Sequence, residues 1–436
     1  MSQESLRVFE IRSTDAINQL QTCLEEMADF PRTLATEERW KLDVFSVDLT
    51  SPILALLIQI LNQPTSTYNA PTTSTTFKWD HVGFYRCKFA QPMKNPDFPN
   101  DDDDRCSKDN IHLFASALAR QTSSLTLSEC PEILGCLFDV PALEMKKVAF
   151  HQARMSECEC AGFSDLIQKS LRLKELYIKA AHLDNPHSLA KGLANAVQLR
   201  TISIKGMTTT MPVHQQPEQT LSTALFGNSG IMERLLTASP SRQLRELYLQ
   251  SMHLEDYHFM TIVELLPRSH LEVLDVLDNK IKCPGIMAFA KQLPNIKNLK
   301  QVQLRLNPWD YARDTSGKND YEQCCAALLE GMLDNYSIQC MPLMQITVLE
   351  RQLEHCSYIN WVKGQILASS NAIPVGLWPL LLERVGTHNR HFLWVEESRF
   401  RTHTANALYL VLQNSPILSS ICSTSSKTCS TTFLVR

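Results

Sequence analysis

The residues of this chain that could do chemistry occur in fragments rather than in complete sets. His388 and His391 are three positions apart, a spacing that puts two imidazoles on one helical face and suits zinc, but no second ligand pair lies near them. Cys158-x-Cys160 and the adjacent Cys324-Cys325 lack the spacing of paired thiolates in a structural zinc site. The run from Asp101 to Asp104 lacks the glycine and terminal glutamate of a calcium loop. Ser316-Gly317-Lys318 resembles the end of a phosphate loop without its first glycine or its preceding strand. No nucleophile elbow, zinc-protease helix or dinucleotide turn occurs. These absences predict no catalytic residue, no cofactor and no bound metal, and so a protein that is not an enzyme.

One group of side chains does follow a pattern. Tyr177 and Tyr248 fall at the same point of two nearly identical segments, LRLKELYI and RQLRELYL. Lys174, Arg200 and Arg245 stand just ahead of them or of an equivalent segment. Tyrosine offers a large contact area and a hydrogen bond at small entropic cost, while clustered cations steer and orient a partner of opposite charge. Lys174, Tyr177, Arg200, Arg245 and Tyr248 are therefore the predicted partner-binding residues, with a protein as the partner.

The elements that must hold these residues are short strands. The pattern apolar-x-x-apolar-x-apolar recurs with first positions at Met145, Leu173, Leu199, Leu244, Leu271 and Leu299. Four of the intervals are 28, 26, 27 and 28 residues, inside the range of leucine-rich repeats. A period of two over the last apolar positions puts them on one face of a strand and the residues between them on the other. Between strands, Leu189-x3-Leu193, Phe259-x2-Ile262-x2-Leu265 and Ile286-x2-Phe289-x3-Leu293 have the spacing of amphipathic helices. Such a unit cannot bury both stripes alone, so neighbours must stack. Three residues beyond the strand lie Asn279 and Asn307 in later repeats, Cys87 and Cys130 in earlier ones, and Ala153 and Ala181 between. That position is expected to turn inward and to satisfy loop backbone groups.

The segment from Leu271 to Asn279 reads L-x-x-L-x-V-x-x-N, and the region resembles leucine-rich repeats of the ribonuclease-inhibitor-like subtype. The resemblance implies an α/β solenoid, a horseshoe with a parallel sheet on its concave face and helices on its convex face, and it implies protein binding. The expected organisation is an N-terminal helical cap over 1–39, with apolar positions Ile17, Leu20, Leu24 and Met27, followed by repeats over 40–344. Early repeats begin at Leu42 and Trp79 and a last one at Ile338, with inserted loops near 88–110, 207–230 and 309–321. A helical C-terminal region spans 345–415 and a disordered, Ser- and Thr-rich tail 416–436. The segment from Ile373 to Arg384 resembles the C-terminal region of uncharacterised diatom repeat proteins.

A formal charge of -4 gives no global reason to bind nucleic acid or anionic lipid. The first residues lack the apolar core of a secretory signal and no run approaches the roughly 18 residues of a membrane span, so a cytoplasmic or nuclear protein with reduced cysteines is expected. The function these features predict is an intracellular protein-binding scaffold. The alternative is a ubiquitin-ligase substrate receptor, because Ile373-Pro374-x-x-Leu377-x-x-x-Leu381-Leu382-x-x-Val385 faintly resembles the start of an F-box.

Overall fold

The computed structural model describes residues 6–29, 39–62, 79–90, 107–206, 221–227, 230–237, 244–311, 318–343 and 352–361 except 355 and 359. The chain forms two compact units, Met1–Met252 and His253–Arg436.

The first unit runs β1 (Leu6–Arg12), α1 (Ala16–Asp29), β2 (Arg39–Phe45), β3 (Asp48–Leu49), α2 (Ser51–Asn62), β4 (His81–Tyr85), β5 (Lys88–Phe89) and α3 (Lys108–Gln121). It continues through β6 (Ser124–Ser128), α4 (Pro131–Leu137), β7 (Lys147–Met155), α5 (Glu157–Lys169), β8 (Glu175–Leu183) and α6 (Pro186–Asn195). It ends with β9 (Thr201–Gly206), α7 (Leu221–Phe226), α8 (Ile231–Leu236) and β10 (Glu246–Gln250). Its sheet has the order β1-β2-β4-β6-β7-β8-β9-β10, and all seven pairings are parallel. β3 and β5 pair in a small sheet of their own. Parallel neighbours need a crossover, and the helices provide it.

The predicted register holds. Leu176, Ile178, Leu247 and Leu249 are buried, while Tyr177 and Tyr248 project from the other face and stay half-buried. The crossover helices cover the buried face; the tyrosines stand on the open one.

The N-terminal segment differs from the helical cap expected over 1–39, because β1 precedes the helix and extends the sheet beyond β2. Only Ile11 of β1 is buried, so its alternation is too weak to display the repeat pattern in sequence. The helix follows, but its buried stripe is Ala16, Leu20, Cys23 and Met27, with Ile17 at 42% exposure. A second departure concerns Ala153 and Ala181. Instead of turning inward at those positions, β7 and β8 remain extended and paired as far as Met155 and Leu183. Without a side chain able to satisfy a turn, the backbone groups stay in the ladder. The Arg154 guanidinium then closes the pair with two 3.0 Å bonds to Asp184.

The inward position behaves as expected elsewhere in the first unit. The Cys87 amide donates to Cys130 Sγ at 3.2 Å, and Cys130 Sγ lies 3.5 Å from Phe84 O as its donor. The residue just ahead is left-handed each time: Arg86 has φ 55° and Glu129 φ 55°.

The second unit contains α9 (Asp256–Leu265), β11 (Val273–Asp275), α10 (Cys283–Gln292), β12 (Gln301–Gln303), α11 (Pro308–Tyr311) and α12 (Lys318–Leu333). β11 and β12 are parallel, and the repeat expected at Ile338 is reduced to a single bridge between Cys340 and Gln301. Asparagine takes the inward position here. Asn307 Oδ1 accepts from Ile281 N at 3.1 Å, and its Nδ2 donates to Val276 O at 3.0 Å and Leu304 O at 2.9 Å. Asn279 bonds likewise to Leu254 N and Val276 O. Again the preceding residues, Asp278 at φ 56° and Leu306 at φ 59°, are left-handed.

The ends of the expected loop 309–321 are helical, because Trp309 and Tyr321 bury themselves against each other, ring centres 5.6 Å apart. The loops expected near 88–110 and 207–230 are likewise bounded by β5, α3 and α7, with 91–106 and 207–220 outside the described residues. Also outside are the tail 416–436, His388 and His391, the Ile373–Val385 segment and nearly all of the helical region expected over 345–415.

Candidate functional site

On the open face, β7 to β10 bring their side chains into rows. Lys147, Glu175, Thr201 and Glu246 form the first; Ala149, Tyr177, Ser203 and Tyr248 the second. His151, Lys179, Lys205 and Gln250 form the third. Tyr177 and Tyr248 therefore flank Ser203 on three adjacent strands, and the structure brings together the two aromatic residues that the sequence selected.

Lys174, Arg200 and Arg245 are placed differently from expectation. They precede β8, β9 and β10 rather than occupying the strand face between apolar residues, and their backbones stack in register instead. Lys174 N donates to Lys146 O at 2.8 Å, Arg200 N to Lys174 O at 2.7 Å and Arg245 N to Arg200 O at 2.8 Å. Lys146 thereby joins them as a fourth cation. Their parity is that of buried strand positions, so they stay solvated only because the strand has not yet begun.

The tyrosines are held by their neighbours. Tyr177 OH donates to Glu175 Oε2 at 3.3 Å and Tyr248 OH to Glu246 Oε2 at 3.2 Å, where Thr201 Oγ1 also donates. Burial, reinforced by the Glu175 carboxylate, pushes the Tyr177 phenol up to about 12. Lys147 Nζ lies over the Tyr177 ring and 3.7 Å from Glu175. This is a surface of fixed aromatic edges and charges, suited to recognition.

A second polar group on the open face was not foreseen. Lys41 Nζ is 2.7 Å from Asp43 Oδ2, His81 Nε2 is 3.6 Å from Asp43 Oδ1, and His81 Nδ1 is 3.2 Å from Ser124 Oγ. Asp43 is only 4% exposed because the Tyr85 ring and Lys41 close over it. The space for its carboxylate exists because β4 has Gly83 opposite: a Cβ there would meet Asp43 Oδ1 at 2.5 Å. Burial lowers the His81 pKa, opposed by Asp43 and assisted by Lys41 and Lys147. A proton can be held between His81 Nδ1 and Ser124 Oγ, whereas Asp43 Oδ1 lies beyond hydrogen-bond reach of the ring. The lone Gly83 among alternating strand residues was the available sequence signal, since an interior strand glycine marks close approach.

The other fragments do not assemble. Cys158 is exposed while Cys160 is buried, and Cys324 and Cys325 are both packed into α12. Among the described residues there is no group of three or more His, Cys, Asp or Glu side chains able to hold a metal ion, and no helix long and apolar enough to cross a membrane.

Parallel strands joined by helices, with asparagines or cysteines bonding from turn to turn, define an α/β leucine-rich repeat fold. No protein family and no curated protein matches the chain in sequence. Among solved structures it is similar to leiomodin-1 actin-binding site 2, at 12% identity and TM-score 0.29, covering 42% of this chain and 91% of that one. It is also similar to the tropomodulin C-terminal domain of Caenorhabditis elegans, at 11% identity and TM-score 0.31, covering 41% and 96%. A Bacteroides fragilis protein is similar over 77% of this chain and 88% of its own, at 13% identity and TM-score 0.38. TM-scores below 0.5 transfer no partner.

Proposed function

We propose that this chain is a protein-binding scaffold, working by recognition rather than catalysis, and that the open sheet face across β7 to β10 is where its partner docks. The observation that supports this reading is the placement of Tyr177 and Tyr248 on either side of Ser203, each anchored by a glutamate. Rigid aromatic side chains lose little entropy on binding, and the surrounding polar groups orient what approaches. Strand-borne side chains also hold their geometry better than loop-borne ones. Neither nucleic acid nor membrane is part of this reading.

The test begins with affinity capture from a lysate of the source organism, and then measures the captured partner against the Tyr177→Ala/Tyr248→Ala variant. A loss of about 2 kcal/mol or more of binding is expected. Undiminished affinity of the folded variant moves the interface away from this face.

A further inference from the structure

Cations crowd the same four strands. Lys146, Lys174, Arg200 and Arg245 form one row at the entry to the strands, and Lys179 and Lys205 lie in a second, beside His151, whose burial favours the neutral ring. Neighbouring strands are roughly 4.8 Å apart, so like charges recur at that interval along each row. Lys174 and Lys179 are five positions apart, as are Arg200 and Lys205, which sets the rows about 16 Å apart. The two carboxylates of this face, Glu175 and Glu246, lie between the rows and are occupied by Lys147, Thr201 and the tyrosine hydroxyls. Among the described residues, Lys146, Lys174, Lys179 and Lys205 have no acidic partner. This concentration occurs in a chain whose formal net charge is -4.

We infer that the face takes an acidic segment of its protein partner, Asp and Glu side chains reaching the two cationic rows and apolar side chains packing against the tyrosine edges between them. The inference rests on the docking reading above and adds the partner's chemistry. Stacked like charges repel one another, and an anionic segment relieves that repulsion. A polypeptide suits the centre of the face better than a nucleic acid does. Stacked bases need an open ring, whereas Lys147 Nζ sits 4.4 Å from the centre of the Tyr177 ring and each tyrosine hydroxyl holds a carboxylate.

The test uses the full chain and a fluorescein-labelled extended peptide of Asp and Glu interspersed with Leu, beside the same peptide with Asn and Gln in their place. Fluorescence anisotropy should show binding of the acidic peptide alone, weakening about tenfold or more from low to high salt. Lys146→Glu/Lys174→Glu and Lys179→Glu/Lys205→Glu should each weaken it about tenfold or more, while Lys169→Glu on the opposite, helical side leaves it unchanged. Circular dichroism melting establishes that each variant is folded. Equal binding of the amide peptide, unchanged affinity in the folded charge reversals, tighter binding of labelled polythymidine, or no binding of the acidic peptide would each overturn the inference. If the amide peptide binds and Tyr177→Ala/Tyr248→Ala abolishes that binding, the docking face stands and the acidic partner does not.

Discussion

Lys147 Nζ stands 4.4 Å from the centre of the Tyr177 ring while also lying 3.7 Å from Glu175, so this tyrosine is a member of a small network before any partner arrives. Truncation therefore costs more than the loss of an isolated surface residue. Tyr177→Ala should lower stability by about 1 kcal/mol, from the lost cation–π contact and the uncovering of Ala149. Tyr177→Phe should retain most of that and lose only the hydroxyl bond. Urea denaturation of the two variants separates the contributions.

The same network makes the tyrosine sensitive to alkali. Its folded pKa, about 12, lies above the ordinary value of 10.0, so the neutral phenol is the form the fold prefers. The associated stability is fully present below pH 10 and is lost as pH rises through 12. Wild type should thus lose stability more steeply than Tyr177→Phe across that window. Ultraviolet titration of the phenolate places the midpoint; the same slope in both proteins would remove the assignment.

The acid side falls to histidine. Burial depresses the His81 pKa from 6.5, opposed by Asp43 and assisted by Lys41 and Lys147, so the fold prefers the neutral ring. Its contribution is present above pH 6.5 and lost as pH falls through the depressed value. His151 and His258 shift the same way, also chiefly by burial. His81→Gln should flatten part of the acid-side decline in the urea midpoint. Proton NMR should show its ring titrating below the unfolded value.

Asn307 satisfies four backbone groups with one side chain, counting Arg305 O at 3.3 Å. Asn307→Ala leaves Ile281 N and two well-aligned carbonyls without this partner, each unmade bond costing about 1–3 kcal/mol where water cannot enter. A loss of about 3 kcal/mol or more is expected. A melting temperature equal to wild type would show that water or relaxation restores these bonds.

Leu306 offers the opposite effect. It is held at φ 59° and is partly exposed, so its side chain adds left-handed strain and little packing. Leu306→Gly removes a cost of about 1 kcal/mol per left-handed residue, partly offset by the greater freedom of glycine in the unfolded chain. A small rise in stability is expected, measured by chemical denaturation; a clear fall would mean that Leu306 packs more than its exposure implies.

The strands were legible because Leu176, Ile178, Leu247 and Leu249 alternate with polar or tyrosyl residues, and a period of two has no helical reading. β1 escaped notice because its edge position leaves only Ile11 buried, so burial imposes no alternation. The left-handed residues were equally hidden. Ser46, Arg86, Glu129, Asp278 and Leu306 share a backbone conformation but no side-chain type, because the ladder behind them, not a glycine, fixes the turn. The tyrosine row followed from repeat spacing. The sequence selects Lys174, Arg200 and Arg245 by their charge, but their stacking one residue ahead of β8, β9 and β10, with Lys146 in the same row, follows only from the backbone bonds that join the strand entries. The group Lys41, Asp43, His81 and Ser124 is spread over three repeats, and only their pairing in register joins it.

The thiol rungs of the first unit also keep time. The hydrogen bond with the Cys87 thiol, and then burial, raise the pKa of Cys130, and neither sulfur is open to solvent. An alkylating reagent therefore reaches them only when the turns behind β4 and β6 come apart. Asn279 and Asn307 leave the corresponding turns of the second unit silent to the same reagent. Native chemistry has thus placed a stopwatch in the earlier repeats, one that records each opening as added mass on the peptides that carry Cys87 and Cys130.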